Sequence, residues 1–529
     1  FMKKRIVTMI ACAATLFSSL SGCGATKTDF TIAKDLIPST DLGYTVGDTL
    51  TETNKPIGDH NPIASNVFFA DPTAVEYEGR LYVYGTCDQQ EYDAKGGFGA
   101  NSYGSINTLA VYSTADMVNW TYHGTIPVTE IATWAGCSWA PSIVKKEGAF
   151  GKTEFYLYFA NSAVNIGVLK SDSPLGPWED PIGGPLIDNS MSQLSDDPVF
   201  WCFDPGVVVD ENGVGWIAFG GGDPHSDDPD ENAMDTGNCR IAKLGDDMIS
   251  IDGEVTEIHA PYHFEANELN YINGTWVLTY CSNYSQRLIW PSDSELPAPS
   301  GGSMCYMTST DPLDSDSWVY KGEYLTNPNT QGYPFSNNHS HLQEFKGNYY
   351  ILYQNVSLLE NMGSTVAEGY RSIGINLCDV DEETVTFAPA TMNDEGVEQL
   401  ENFDVFAVTP AETAVTTAGV QYYSSDERTY ITSIDDGDWV EISQADFGDG
   451  VNSFAATVRG EGIIEIRLDS VDGNPVGNVQ FSTDGEYATY VCDLDKTVSG
   501  VHDLYLVFGG SFVFDEWQFA YIVEEEPAE

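Results

Sequence analysis

Five times along this chain, an apolar strand opened by an acidic or polar residue runs into a turn and returns as an aromatic-rich strand. The first copy is Asp71–Val75, returning after Glu78-Gly79 as Leu81–Tyr84. The second runs from Trp139 to Val144 and returns as Phe155–Phe159. The third, Phe203–Val209, turns at Asn212-Gly213 into Trp216–Phe219. The fourth starts at Phe264-Glu265 and turns at Asn273-Gly274 into Trp276–Tyr280. The fifth starts at Asn338-His339 and turns at Lys346-Gly347 into Tyr349–Tyr353. A repeat of roughly 60 to 75 residues built from short strands is the pattern of radial β-propeller blades. The innermost strand of each blade begins near the shared axis. Asp71, Asp204, Glu265 and His339 are therefore expected to meet in one central pocket.

Several copies carry a second half, such as Ala110–Asp116 before Trp120 and Met304–Asp311 before Trp318, read as outer strand pairs. The stretches 88–106 and 189–201 read as long loops of the kind that shape a substrate cleft. After Asn393-Asp394-Glu395 the pattern changes to short alternating strands, among them Trp439–Ile442, Ser453–Val458, Ile463–Leu468 and Asp503–Phe508. Alternation with a turn every 8 to 12 residues or so predicts a β-sandwich. The expected fold is thus all-β, a five-bladed β-propeller over 59–392 followed by a jelly-roll sandwich over 409–521.

The chain begins with a targeting pattern. Lys3, Lys4 and Arg5 precede an apolar stretch, Ile6–Leu20, too short for a typical membrane span. Leu20-Ser21-Gly22-Cys23 looks like a bacterial lipobox, in which Cys23 would carry lipid. Residues 1–23 are read as a lipoprotein signal and 24–58 as a tether, so a secreted, cell-surface protein anchored to the bacterial membrane is expected. The 80 acidic residues against 22 basic ones give a formal charge of −58. Such a field repels nucleic acid and points to a neutral or cationic partner. No Cys-x-x-Cys pairing occurs, which removes most zinc and thioredoxin-like readings, and Cys202, Cys281 and Cys305 read as buried thiols.

Three carboxylates in one pocket suit glycoside hydrolysis, which needs one acid to protonate the leaving oxygen and one carboxylate to activate water or attack. A third nearby raises the acid's pKa by like-charge repulsion.

The residues resemble family 43 glycoside hydrolases, five-bladed propellers acting by inversion on arabinose- and xylose-containing polysaccharides. Ala70-Asp71-Pro72 is similar to that family's general-base motif, Trp139-Ala140-Pro141-Ser142 to its second-blade motif, and Phe203-Asp204-Pro205 to the segment holding the orienting, pKa-modulating aspartate. Phe264-Glu265-Ala266 resembles the general-acid segment. Asn337-Asn338-His339 resembles a fifth-blade segment whose His often binds a central calcium or water cluster. Tyr370-Arg371-Ser372-Ile373 is similar to a segment supplying an Arg near the sugar. The resemblance implies Asp71 as base, Glu265 as acid, Asp204 as modulator, Trp139 and Arg371 as substrate contacts and His339 as a metal ligand. Glu268 competes with Glu265 for the acid role, and His341 with His339.

The second domain resembles a family 6 carbohydrate-binding module over Tyr430–Trp439, Ile464–Asp469 and Gly500–Phe508. That likeness implies Trp439 and Tyr487 as sugar-stacking rings. Where the family often has Asn-Phe-Asp-Trp-Trp, this chain has Val513-Phe514-Asp515-Glu516-Trp517, without the amide that usually bonds the sugar. Taken together, the likenesses imply an α-L-arabinofuranosidase on arabinoxylan. β-Xylosidase, endo-arabinanase of linear arabinan, and a non-catalytic sugar-binding lipoprotein are the alternatives. No cofactor is expected for the chemistry, with structural calcium in the propeller axis and the sandwich.

Overall fold

In the first repeat the alternating residues pair as an antiparallel hairpin, Ala70–Tyr77 against Arg80–Thr86. Its two loop residues, Glu78 and Gly79, both have positive φ, 50° and 79°. A two-residue loop with both positions left-handed matches the right-handed twist of the strands it joins. Asn273-Gly274 and Lys346-Gly347 repeat the device in the fourth and fifth copies. The chain is described by a computed structural model over residues 36–521, apart from 149–150, 225–233, 426–427 and 433–434. The signal segment, Cys23 and the acidic tail at Glu524–Glu526 lie outside the described residues.

Each repeat extends outward as an antiparallel sheet in chain order, making five blades. The blades begin at Ala70, Trp139, Gly206, His263 and Ser340; the fifth has three strands in its sheet. The five innermost strands neighbour one another in a closed cycle, the last returning to the first. Apolar cores fill the space between adjacent blades. Val75 and Tyr84 pack with Ile143 and Phe155 between the first and second, and Trp216 and Ala218 with Leu278 and Tyr280 between the third and fourth. The larger aliphatic and aromatic side chains among these, such as Ile143, Phe155 and Leu278, each contribute ~1.5–3 kcal/mol on full burial.

Around the axis, side chains bond the backbone of the next blade. Thr73 Oγ1 accepts from Ile143 N–H at 3.1 Å, Ser142 Oγ from Val207 N–H at 3.0 Å, and Asp204 Oδ2 from Ala266 N–H at 2.7 Å. Asn270 donates to Leu342 O at 2.9 Å, and Gln354 Oε1 accepts from Asp71 N–H at 2.7 Å, completing the circuit. Buried backbone donors left over at strand ends must be paired, and here the pairing joins neighbouring blades.

The chain forms two compact units, one of residues 58–115 and 123–398, the other of 116–122 with the segments before 58 and after 398. The second unit is the expected curled sandwich, but Ser453–Val458 and Ile463–Leu468 are one strand, Val451–Leu468. Its first half pairs with Ala488–Val498 and Phe512–Ala520, its second with Gly477–Ser482 and Val501–Gly509. It bends from one sheet into the other at Gly460, whose φ is 116°. Residues 36–57, read from composition as tether, belong to this unit. Leu36–Pro38 pairs with Thr489–Val491, and Lys55 is fully buried with Nζ donating to Val415 O at 2.7 Å. Polar, aperiodic composition gives no sign of a segment held by backbone pairing. All eight described cysteines are free, and Cys202, Cys281 and Cys305 are buried as expected.

Gly206 sits where the third and fourth innermost strands come closest. A Cβ there would lie 2.5 Å from Glu268 Cα and 2.6 Å from Asn267 O. Neither atom can yield without backbone movement, so Gly206→Ala should destabilise the propeller by ~1–3 kcal/mol. Urea unfolding reads this directly, and an unchanged midpoint would contradict the close approach.

Candidate active site

The entrances to four innermost strands share a backbone conformation. Asp71, Ala140, Asp204 and Ala266 have φ of 51°, 36°, 48° and 62°, and the first, second and fourth hairpins shift register at that place. Left-handed backbone is uncommon for residues other than Gly, and four instances at one repeat position mark a common turn at the axis. Asp71 and Asp204 occupy equivalent positions, whereas Glu265 stands one residue earlier, level with Trp139. Turning at Ala266 rather than at the acid leaves Glu265 partly exposed, while Asp71 and Asp204 are each only 6% exposed.

Asp71 is surrounded by positive charge. Arg371 NH1 donates to Asp71 Oδ1 at 2.7 Å, and His339 Nδ1 lies 3.4 Å from the same oxygen. Burial pushes the Asp71 carboxyl up, but the Arg371 guanidinium and His339 outweigh it and hold it well below the usual carboxylate range. Arg371 is itself fixed by Asp88, which accepts from Nε at 2.9 Å, from NH2 at 2.9 Å and from the backbone N–H at 3.0 Å. Burial works to deprotonate Arg371, and the two carboxylates reverse that, raising its pKa.

Glu265 has the opposite environment. Burial, then the negative charges of Asp204 and Asp71, push it up to about 8. Asp204 is raised to about 6, chiefly by burial, against the pull of His339 and the Ala266 N–H. At neutral pH Glu265 therefore holds its proton while Asp71 is ionised. Paired carboxyl groups whose surroundings push their pKa values apart are suited to divided acid and base work.

Glu268, the competing acid, points elsewhere. It is 1% exposed and lies 3.3 Å from His341 Nδ1 through Oε2. Neither of its oxygens has a hydrogen-bond partner in the structure. His339, the other histidine, turns its Nδ1 toward Asp71 instead. Among the described residues, one group brings three His, Cys, Asp or Glu ligand atoms within 4.8 Å of one another: Asp235, Glu257 and His259, none of them in the expected set.

Two insertions supply residues that repeat spacing did not reveal. The first contains a short helix, Asp88–Ala94, which presents Asp88, and then Tyr103. The Arg371 guanidinium lies 5.1 Å from the Tyr103 ring, and Tyr103 O accepts from Trp139 Nε1 at 3.1 Å, so Trp139 and Arg371 do sit in one neighbourhood. A helix of seven residues is too short to show a period. The second insertion delivers Phe200 and Trp201, whose rings lie 5.7 Å apart. Trp201 meets Phe264 at 5.4 Å, Phe264 meets Tyr284 at 5.6 Å, and Tyr284 meets Phe335 at 5.6 Å. Phe264 in this row is the chain neighbour of Glu265, and Phe200, Tyr284 and Phe335 are exposed.

In the sandwich, Trp439 is 2% exposed, donates from Nε1 to Thr51 O at 3.0 Å and packs edge-on against Tyr505. It is a core residue, which corrects the expectation of a sugar-stacking face. Tyr487 remains partly exposed, with the guanidinium carbons of Arg428 and Arg459 over its ring at 4.4 and 4.9 Å.

Comparison with known proteins agrees with this architecture. The family described as Glycosyl hydrolases family 43 matches residues 60–385, and Carbohydrate binding module (family 6) matches residues 410–521. An arabinoxylan arabinofuranohydrolase of Bacillus subtilis is 38% identical over 89% of this chain and 94% of its own length. One from Paenibacillus polymyxa is 36% identical over 88% of this chain and 76% of its own. The crystal structure of the Bacillus subtilis family 43 arabinoxylan arabinofuranohydrolase in complex with cellotetraose superposes with a TM-score of 0.82, at 37% identity, covering 89% of this chain and 99% of that one.

The Asp71–Arg371–Asp88 arrangement generates a specific expectation. Arg371→Met would leave two buried carboxylates without their shared cation, costing roughly 3–5 kcal/mol. Arg371→Lys keeps the charge but loses the fork that engages both acids, and should fall between. Denaturant midpoints of the three proteins test the order; equal midpoints for wild type and Arg371→Met would contradict it.

Proposed function

The chain belongs to glycosyl hydrolase family 43, and from that premise we propose that it removes α-L-arabinofuranosyl branches from arabinoxylan by single-displacement inversion. The observation that carries the mechanism is the opposed surroundings of the two acids: Asp71 is ion-paired with Arg371 at 2.7 Å, whereas burial and the charges of Asp204 and Asp71 favour the protonated form of Glu265. Asp71, ionised beside Arg371, takes a proton from a water as the water's oxygen attacks the anomeric carbon. Glu265 gives its proton to the glycosidic oxygen as the bond to the xylan chain breaks. Asp204 acts on Glu265 in two ways: its charge raises the acid's pKa, and its Oδ2 holds the Ala266 N–H next in the chain.

Arabinoxylan as the substrate is supported by the two relatives of that activity, each aligned along most of this chain. A polymer is further supported by the aromatic row from Phe200 to Phe335, since exposed rings in series offer stacking faces to successive sugars. The sandwich, a carbohydrate-binding module by its family match, would raise the local concentration of polysaccharide.

Proton NMR of the sugar first released from an arabinoxylan oligosaccharide tests the displacement. The inverted anomer is expected, and initial retention would eliminate a single displacement between carboxyl groups ~6.5–9.5 Å apart.

The pH profile tests the division of roles. Because Glu265 must be protonated, kcat/KM should decline as pH rises through about 8. Asp204→Asn removes one of the charges that raise Glu265, so the alkaline limb should move to lower pH while the maximal rate also falls. An alkaline limb that stays in place would separate Asp204 from the acid.

A further inference from the structure

The outer face of the sandwich gathers positive charge where an acidic chain has least reason to. At the end of its first half the long strand Val451–Leu468 places Arg459 opposite Val513, just before the bend at Gly460. On the neighbouring strand, Val458 stands opposite Ala488, so Tyr487 lies beside Arg459, and the guanidinium carbon is 4.9 Å from its ring centroid. Arg428 also reaches this ring, its guanidinium carbon 4.4 Å from the centroid. Both arginines come from a set of only 22 basic residues in a chain of formal charge −58.

The two cations are not equivalent. Arg428 NH1 donates to Asp515 Oδ2 at 2.7 Å, so its charge is partly answered. Among the described residues no carboxylate pairs with Arg459, which is partly buried and held by the ring alone. Val513 is the position at which the family likeness leads one to expect a sugar-binding amide; here it is apolar, and the polar group next to it is the Arg459 fork. Guanidinium groups over Tyr487 also occupy the space a neutral sugar would use to lie flat on the ring. The overall negative charge does not forbid an anion at this place, because charges beyond ~8 Å are largely screened at physiological ionic strength.

We infer that this face of the sandwich binds an acidic sugar, a uronic acid unit of the polysaccharide, with the Arg459 guanidinium receiving its carboxylate. The inference rests on the domain being a carbohydrate-binding module and extends it to the class of sugar taken. A planar guanidinium with free N–H groups matches a carboxylate in a two-point contact that a hydroxyl cannot reproduce. Arg428, bridged to Asp515, flanks the site and adds field. Tyr487 keeps both stems in place through its ring.

The test uses the full chain and two probes, a xylo-oligosaccharide bearing one glucuronic acid branch and the same oligosaccharide without it, titrated calorimetrically. The acidic probe should bind on the order of tenfold more tightly or better, the effect of one charge-assisted contact. That preference should disappear in Arg459→Gln, weaken in Arg428→Gln, and shrink at ~0.5 M salt, where the screening length is roughly half its physiological value. Turnover of an aryl arabinofuranoside should be unchanged in both variants, showing that the propeller chemistry is intact, and unchanged denaturant midpoints should show that the sandwich still folds. Equal binding of the two probes, binding of neither, or a preference that survives in Arg459→Gln would overturn the inference. Loss of aryl glycoside turnover by the wild type would instead count against the hydrolase reading.

Discussion

Asp71 is where the propeller closes and where its strongest ionisation is set. Its N–H is bonded by Gln354 from the fifth blade's second strand, and its carboxylate by Arg371, which enters that blade's third strand. A ring of blades must be joined somewhere between its last repeat and its first. Here the join combines side chains aimed at Asp71 with backbone bonds, from Ile63 N–H to Ile373 O at 2.9 Å and between Gly99–Ala100 and Ala367–Glu368. A loosened closure would release the same contacts that keep Asp71 charged, so fold integrity and base strength are coupled through a few hydrogen bonds. The coupling extends to Asp88, because a buried Arg is tolerable only when its charge is answered. The first insertion, which carries Asp88, is therefore part of the propeller's electrostatics as well as a wall of the site.

The second constraint is conformational. Turning the chain into the axis at a left-handed, non-glycine residue costs of order 1–3 kcal/mol at each place. The molecule repeats this turn at Asp71, Ala140, Asp204 and Ala266. At Asp204 the turn is partly offset by the bond from Ala266 N–H, and at Asp71 by that to Gln354. The turn decides which side chains reach the axis. An aspartate at the turning residue is drawn in and buried, whereas the residue before it, Trp139 or Glu265, stands at the mouth. That offset separates a buried, ionised carboxylate from a more accessible, protonated one within a single repeat geometry.

Much of this was legible in the sequence because a propeller repeats itself: five strand–turn–strand units, their Gly turns and the acids at their entrances are local patterns. The competition between Glu265 and Glu268 was not decided by the local pattern, because the bulge that separates them and turns Glu268 toward His341 is seen only in the structure. What escaped was non-local. Asp88, Tyr103 and Trp201 reach the site from insertions with no period, and Gln354 reaches Asp71 across 283 positions of chain. Trp439 was misjudged because a strand tryptophan reads the same whether its face is packed or open; only the Thr51 carbonyl and Tyr505, brought by distant segments, decide it. The pairing of 36–57 within the sandwich unit was hidden for the same reason, being built from backbone bonds that composition does not encode.

Scarcity makes the basic residues informative. With 22 Lys and Arg against 80 Asp and Glu, most cations could be placed anywhere and still find an acid. Lys145 with Glu76 and Lys243 with Asp252 are such exposed pairs, each worth little in water. Arg371 and Arg459 depart from that background in opposite directions. Arg371 is buried and shared by two carboxylates, a fixed charge that sets the ionisation of a neighbour. Arg459 is held by an aromatic ring and answered by no described carboxylate, a charge left open toward whatever approaches the sheet. In an acidic surface a guanidinium that no described carboxylate answers stands out, because the field supplies partners in excess. The simplest physical reason for holding it apart, on a ring that limits its freedom, is that its partner comes from outside the chain.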